Sequence, residues 1–183
     1  VDNMPITRMM TITMAACLAM FLQSETLASE HMEPGQSLPV LDIHAGGEIS
    51  VSDDTVVKPW SSKSLESKGK IQLVQYIAAN RHAVRQNKPF TDALLERQFP
   101  SDKLEATIIV HMADTMAIAR PFVVNRLAKN KTKRQAVNFV IDDNGVGLQR
   151  WGMKPLSFAV IVLAASGKVL FVKDGPLSET EIE

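Results

Sequence analysis

The stretch GKIQLVQYIAANRHAVRQN, residues 69–87, decides the fold because a strand signal is followed at once by a polar break. Residues 70–77 form a largely apolar run of strand length, which is typical of a strand covered on both faces. Ala79, Asn80, Arg81 and His82 come directly after it and are interpreted as a polar turn before a helix. In open α/β sheets, ligands bind at the carboxyl ends of the strands. The stretch therefore predicts a central strand and a place for chemistry.

The rest of the chain alternates strand and helix signals around this stretch. Apolar runs predict core strands at residues 106–111 and 137–141, and helices begin near Pro89 and Pro121 because proline fits the first turn of a helix. Residues 159–163 and 168–172 predict a hairpin, and residues 40–43 and 48–51 predict another around Ala45-Gly46-Gly47. Since crossover connections are right-handed, the first three core strands are expected to be parallel, with helices on the sheet faces.

The composition is that of an ordinary globular protein. Of 183 residues, 45% are hydrophobic and 22% are charged, which suits one domain. Lys and Arg together number 20, as do Asp and Glu, so no overall charge favours nucleic acid. We expect a partner other than a nucleic acid.

The first residues have the parts of a secretory signal peptide. Arg8 precedes an apolar run at residues 9–22, and small residues lead to Ala28. We predict cleavage after Ala28, which leaves residues 29–183 as a single domain. A spanning helix needs ~20 apolar residues, so we expect no stable transmembrane anchor. The alternatives are a retained anchor or buried N-terminal helix, and a lipid attached at Cys17 within Met14-Ala15-Ala16-Cys17.

The order of elements resembles a thioredoxin fold and, more closely, the YtfJ family of small bacterial periplasmic proteins. The resemblance rests on Lys58-Pro59-Trp60, on residues 69–78 and 140–146, and on Ser166-Gly167-Lys168-Val169 leading to Lys173-Asp174-Gly175. It implies an α/β fold with a thioredoxin-like mixed sheet, flanking helices and an N-terminal β-hairpin extension. It also implies periplasmic residence after export, and it brings no established activity.

The resemblance excludes one activity. Redox-active thioredoxin-like proteins carry Cys-x-x-Cys just after the first core strand, whereas this chain has Ala79-Asn80-Arg81-His82 there. The cis-proline that faces those cysteines is also missing, since Phe158 aligns at its place. Thiol–disulfide exchange needs one thiolate to attack and another thiol to resolve, and the one cysteine, Cys17, lies in the predicted signal peptide. We therefore expect a redox-inactive protein.

Motifs of other enzyme classes are missing too. The sequence contains no P-loop, Rossmann glycine set, HExxH motif or nucleophile elbow. Asp142-Asp143-Asn144-Gly145 loosely resembles a calcium loop, but the late Glu is missing, so a turn is the better interpretation. We expect a protein that is not an enzyme, has no catalytic residues, cofactor or metal, and acts by binding or as an envelope accessory protein.

Two groups of polar residues form the predicted binding site: Asn80, Arg81 and His82 after the first core strand, and His111 and Asp114 after the second. Four interpretations stay open. In the first, these residues only form turns and cap helices, and in the second, Arg81 binds a carboxylate or phosphate. In the third, His82 and His111 bind copper or zinc with Met112 or Met116. In the fourth, His82 or His111 is a general base that Asp114 orients. The expected partner is an envelope protein or a small anionic ligand.

Basic residues crowd the end of the second predicted helix: Arg126, Lys129, Lys131, Lys133 and Arg134. Cations at this position complement the helix dipole, which a solvated helix face explains. The functional alternative is attraction to anionic lipid or to an acidic partner.

The C-terminal residues Ser178-Glu179-Thr180-Glu181 form a capping box, which predicts a helix start. The sequence ends two residues later at Glu183. The final helix of the fold is therefore expected to be missing or truncated.

Overall fold

The computed structural model describes residues 32–66 and 69–183, and within these residues seven strands form one mixed sheet. The strands are β1 (Asp42–Val51), β2 (Thr55–Ser61), β3 (Ile71–Ala78), β4 (Leu104–His111), β5 (Val137–Asp142), β6 (Phe158–Leu163) and β7 (Val169–Asp174). Their order across the sheet is β2-β1-β5-β4-β3-β6-β7. The helices are α1 (Arg81–Gln86), α2 (Lys88–Arg97), α3 (Arg120–Lys133), α4 (Val146–Arg150) and α5 (Glu179–Ile182). The two short 3₁₀ turns are Ser62–Leu65 and Ala117–Ala119.

The centre of the sheet is parallel, as the sequence predicts. β3 and β5 both run parallel to β4, whereas β6 and β7 continue the sheet in antiparallel pairing. All residues of β3 except the first are buried, because β3 has helices or loops on both faces and a neighbouring strand on each side. Tyr76, Ile109 and Val140 pack on one face of the sheet, and Ile77 and Phe158 pack on the other.

The predicted N-terminal hairpin exists, but its turn was placed wrongly. β1 runs without a turn through Gly46 and Gly47, and the hairpin is formed by β1 and β2 around residues 52–54. Both glycines have positive φ, at 102° and 125°, and the pairing register shifts between Ile43 and Glu48. A Cβ on Gly47 would lie 1.8 Å from the Lys58 carbonyl oxygen. The glycines therefore form an irregularity inside a strand, where only a residue without a side chain fits.

The helix after β3 begins earlier than predicted, because Arg81 and His82, which were interpreted as part of a polar turn with Ala79 and Asn80, are the first residues of α1. Asn80 caps α1, since its Oδ1 accepts a hydrogen bond from the Ala83 amide at 2.8 Å. Ala83 is the one buried residue of α1, so the helix shows no apolar stripe in the sequence. Helix α2 follows at once, with Pro89 in its first turn as predicted.

The C-terminal capping box is confirmed. The Ser178 hydroxyl accepts from the Glu181 amide, and the Glu181 carboxylate accepts from the Ser178 amide at 2.8 Å. That amide bond, followed by the Lys173 ammonium at 2.9 Å, lowers the pKa of Glu181 to about 2. Arg97, the last residue of α2, donates a hydrogen bond to the Ile182 carbonyl and so attaches α5 to α2.

The predicted signal peptide, residues 1–28, and Cys17 within it lie outside the described residues. Within residues 32–66 and 69–183, no helix combines the length and the apolar character needed to cross a membrane.

Candidate functional site

Three buried polar side chains meet on one face of the sheet, at the carboxyl ends of its parallel strands. Ala78, His111 and Asp142 are paired across β3, β4 and β5, and Tyr76 lies two residues before Ala78 on the same face. The Tyr76 hydroxyl donates to Asp142 Oδ2 at 2.9 Å. Burial, and next the charge of Asp142, raise the pKa of Tyr76, so the phenol remains a neutral hydrogen-bond donor.

Helix α4 supplies the other partners of the Asp142 carboxylate. The amides of Val146 and Gly147 donate to its two oxygens at 3.0 and 2.9 Å. Gly147 lies so close to the ring of Tyr76 that a Cβ there would be 2.5 Å from Cε2. Since Asp142 is fully buried, these three hydrogen bonds replace the water that the carboxylate loses on folding.

The His111 side chain lies within this cluster but forms no hydrogen bond with the described residues. Its ring stacks on the Tyr76 ring with the two centroids 5.1 Å apart. Trp151 packs edge-on against the Tyr76 ring, with those centroids 5.9 Å apart. His111 is 1% exposed, and neither ring nitrogen has a hydrogen-bond partner among the described residues. Burial lowers the pKa of His111, against the opposing charges of Asp114 and Asp142, so the imidazole is neutral near pH 7.

A cavity of about 220 Å³ opens beside His111. Its polar lining residues are Asn80, His111, Asp114 and Thr115, and its apolar ones are Ala78, Ala79, Met116, Ala119 and Leu156. Asn80 bridges two walls, because its Nδ2 donates to the Leu156 carbonyl at 3.3 Å while its Oδ1 caps α1. Leu156 has a φ of 57°, a conformation that a leucine seldom adopts.

The connection between β4 and α3, which forms one wall of the cavity, is fixed at its far end by an ion pair. Arg120 binds the Asp143 carboxylate in bidentate fashion, with contacts of 2.8 to 3.0 Å. Hydrogen bonding to Asp143 raises the pKa of Arg120. The pair joins the start of α3 to the residue that follows β5.

The structure brings together three of the five predicted site residues. Asn80, His111 and Asp114 line the cavity, whereas Arg81 and His82 are exposed on α1 and do not line it. Asp114 is not the cap of the 3₁₀ turn that follows it, since the capping position is Met116.

The metal interpretation finds no set of ligands in the described part of the chain. No group of three or more His, Cys, Asp or Glu side chains in residues 32–66 and 69–183 is arranged to hold a metal ion. Met112, which was considered as a soft ligand, is buried in a separate apolar cluster with Leu127 and Phe139.

Tyr76 and Asp142 are not among the predicted site residues. Tyr76 lies within the apolar run of a predicted strand, and Asp142 belongs to a predicted turn. The rule that directed attention to the ends of β3 and β4 applies equally to the end of β5, where Asp142 is the last residue. That rule would have found Asp142.

Comparison with known proteins places the chain in a family. Residues 32–183 match the family model described as "Bacterial protein of unknown function (YtfJ_HI0045)". The chain belongs to the YtfJ family. Its similarity to the uncharacterized protein YtfJ of Escherichia coli (strain K12) is 31% identity over 175 residues, which covers 95% of this chain and 94% of that protein. The predicted family resemblance is confirmed.

Solved structures confirm the thioredoxin-like fold of this family member. A thiol-disulfide isomerase from Corynebacterium glutamicum aligns with a TM-score of 0.53 at 12% identity, over 80% of this chain and 90% of that structure. A putative thiol:disulfide interchange protein DsbE from Chlorobium tepidum aligns with a TM-score of 0.51 at 14% identity, over 83% and 92% of the two chains. At these identities the similarity shows the fold alone.

The same comparison overturns one expectation. The prediction that this chain is not an enzyme is corrected, because solved structures with the same fold are named as thiol–disulfide enzymes. These structures show that enzymes occur on this fold, and they assign no activity to this chain. The missing Cys-x-x-Cys motif bears on thiol–disulfide chemistry only, and the cavity lined by Asn80, His111 and Asp114 lies at the same edge of the sheet.

Proposed function

We propose that this protein is a periplasmic enzyme that works without thiols. Its substrate cavity is the one between the ends of β3 and β4, and His111 is its general base. In this proposal Asn80 and Asp114 bind the reacting group, and Tyr76 holds the imidazole in place by stacking.

The observation that carries the proposal is the unpartnered imidazole of His111. A buried polar group without a hydrogen bond costs about 1–3 kcal/mol, so folded proteins rarely retain one without a reason. His111 is one of the residues that line the cavity, and its lowered pKa keeps the imidazole in the neutral form that accepts a proton near pH 7. A substrate that hydrogen-bonds to the ring would remove the cost.

Asp114 favours the charged form that His111 takes after accepting a proton. Its negative charge raises the pKa of His111, in opposition to the effect of burial. In a hydrolysis, a water molecule would give a proton to a ring nitrogen as its oxygen bonds to the substrate. The imidazolium would then return that proton to the leaving group as the bond to that group breaks. Because both ring nitrogens are closed to solvent, the wall that carries Thr115 and Met116 must move for a substrate to reach the ring.

The surroundings of the cavity indicate the kind of substrate. At about 220 Å³ the cavity is smaller than the ~300–1,000 Å³ of sites for drug-sized ligands, so it admits a single small group. The adjoining segment presents Met116, Ile118 and Phe122, each about three-quarters exposed. Exposed apolar side chains beside a site favour a partner with apolar surface, such as an extended polypeptide. This agrees with the expectation of an envelope protein as partner.

Export and the absence of redox activity belong to the same proposal. The signal-peptide pattern of residues 1–28 supports the periplasm, and the lack of any cysteine after Cys17 supports chemistry without thiols. Fractionation of cells that produce the chain should find the processed protein in the periplasm. Reduction of insulin by the purified protein would contradict the proposal.

The experiment that tests the proposal is a screen of the folded protein for hydrolysis of peptides, esters, phosphoesters and glycosides, with His111→Gln as the test variant. Glutamine keeps a polar side chain but cannot act as a base near pH 7. We expect at least one class to be turned over, and the rate to fall by about 100-fold or more in His111→Gln.

His82→Gln is the matched control, because His82 is exposed and does not line the cavity. Its rate should stay within about twofold of the unmodified protein, as for a surface substitution away from the site. A screen without turnover, or equal loss in the two variants, would overturn the role of His111.

A further inference from the structure

A second cavity lies on the opposite face of the sheet, away from Tyr76 and His111. It has a volume of about 290 Å³ and shares no lining residue with the first cavity. Leu73 of β3 with Ala106 and Ile108 of β4 form its floor, and Leu94, Leu95 and Phe99 at the end of α2 form one wall. The opposite wall is formed by Arg134 and Val137, between α3 and β5. We call this cavity the α2–α3 groove.

The α2–α3 groove is open and largely apolar. Leu95 is 50% exposed and Phe99 is 46% exposed, so two large apolar side chains face solvent at its rim. Burying apolar surface stabilises a protein by roughly 25 cal/mol per Å², and the exposed surface of Leu95 and Phe99 does not contribute this free energy. An apolar ligand that covers these two side chains would gain that free energy on binding.

One charged residue lines the α2–α3 groove among the described residues, and it is Arg134. Its guanidinium forms no ion pair or side-chain hydrogen bond with the described residues, whereas the ammonium of neighbouring Lys131 donates to the Gln135 and Val137 carbonyls. Arg134 stands just beyond α3, where the last turn carries Lys131 and Lys133. The groove therefore combines an apolar floor with an unpaired cation at one wall.

We propose that the α2–α3 groove binds a single-chain anionic amphiphile of the fatty-acid type, with its hydrocarbon chain along the floor and its carboxylate on Arg134. A guanidinium pairs with a carboxylate through two parallel hydrogen bonds, which gives such a site direction as well as affinity. A groove of about 290 Å³ does not hold a helix, whose diameter with side chains is about 10–12 Å, whereas a single hydrocarbon chain is far thinner.

The proposal is independent of the proposed catalytic function, because the two cavities share no lining residue. Decanoate is a suitable probe, used below its aggregation concentration and measured by calorimetry. Decanol keeps the chain without the charge, and butyrate keeps the charge with a short chain. We expect decanoate to bind at least about tenfold more tightly than decanol, which lacks the carboxylate that pairs with Arg134. We expect a difference of at least about tenfold from butyrate as well, because its short chain buries less apolar surface.

Arg134→Gln is the test variant, and Lys133→Gln is its matched control because Lys133 is the neighbouring cation and does not line the groove. Arg134→Gln should weaken decanoate binding by about tenfold or more, and Lys133→Gln should change it by less than about twofold. Arg134→Lys should recover part of the affinity. Shifts of the Ala106 and Ile108 methyl signals on titration would place the probe in the groove.

Several outcomes would overturn the proposal. These are no binding of decanoate, equal binding of decanol, equal losses in the Arg134 and Lys133 variants, or methyl shifts confined to other parts of the protein. Binding to anionic vesicles without binding of monomeric decanoate would instead indicate a membrane surface, and would also refute a single-chain site.

Discussion

Replacing Gly147 by alanine tests whether the packing of α4 on Tyr76 is as tight as the structure shows. Two effects oppose each other. Alanine is favoured over glycine inside a helix by roughly 0.5–1 kcal/mol, which would stabilise α4. The new Cβ would lie 2.5 Å from Cε2, 2.8 Å from Cζ and 2.9 Å from the hydroxyl oxygen of Tyr76, closer than side-chain carbons approach in folded proteins.

The steric effect should win, because Tyr76 cannot move away. Its ring lies against His111 on one side and Trp151 on another, and its hydroxyl is held by Asp142. Overpacking of a well-packed core costs about 1–3 kcal/mol. After the gain in helix propensity is subtracted, we expect Gly147→Ala to lower the free energy of unfolding by about 0.5–2 kcal/mol. In a protein of this size, that lowers Tm by roughly 1–8 °C.

The assay is equilibrium unfolding in urea, followed by the fluorescence of Trp151 and Trp60, which are both buried. Gln149→Ala is the matched control, because Gln149 is exposed on the same short helix and its replacement should change stability by less than about 0.5 kcal/mol. If Gly147→Ala were as stable as the unmodified protein, or more stable, the close contact between α4 and Tyr76 would be refuted.

Three further predictions concern buried and paired ionisable groups. Tyr76→Phe removes a hydrogen bond to a buried carboxylate and should lower the free energy of unfolding by about 1.5–3 kcal/mol in urea titrations; a loss below about 0.5 kcal/mol would contradict the bond. Because burial lowers the pKa of His111 in the folded protein, the unfolded chain binds a proton at His111 below about pH 6.5 that the folded protein does not bind. The free energy of unfolding should therefore rise as the pH is raised toward neutrality, by up to about 1.4 kcal/mol per pH unit. His111→Gln should flatten this slope and His82→Gln should keep it, when unfolding is measured from pH 5 to 7; an unchanged slope in His111→Gln would refute the assignment. The hydrogen bonds that lower the pKa of Glu181 from 4.5 to about 2 stabilise α5 above pH 4.5 and are lost as the pH falls toward 2, so ¹⁵N relaxation should show that α5 becomes more mobile between these pH values. Glu181→Gln should make α5 more mobile already at pH 7, whereas the Glu179→Gln control should not.

The sequence predicts the strands of this fold well because their apolar runs are long and continuous. The core strands β3, β4 and β5 and the hairpin of β6 and β7 were predicted within about two residues of their observed bounds. Helices α2 and α3 were predicted from the prolines in their first turns.

The short helices α1 and α4 could not be predicted in the same way. α1 buries only Ala83, so no apolar stripe marks it, and α4 has five residues and includes a glycine. Each helix starts at a local capping contact, made by Asn80 in α1 and by the Asp142 carboxylate in α4. Helices this short are not stable without tertiary packing, such as that of Gly147 against the Tyr76 ring, and a pattern-based prediction does not include such packing.

The candidate site was found in part because strand ends are visible in a sequence. The topological rule identified the positions of Asn80, His111 and Asp114, which line one cavity. The same rule also selected Arg81 and His82, because a sequence does not show which residues of the first helical turn face solvent. The hydrogen bond between Tyr76 and Asp142 joins residues 66 positions apart, and only the folded chain shows it.

The glycine pair in β1 divides the N-terminal hairpin into one region that tolerates a change in chain length and one that does not. Gly46 pairs with Asp142, and a Cβ on Gly46 would lie 2.2 Å from the Ile141 carbonyl oxygen. An insertion there would shift the register, turn each following side chain of β1 to the other face and displace the strand that borders Asp142. The exposed turn at residues 52–54, roughly 20 Å further along the strand, has no such neighbour. A fluorescent label or an affinity tag placed in that turn would therefore leave the cavity intact.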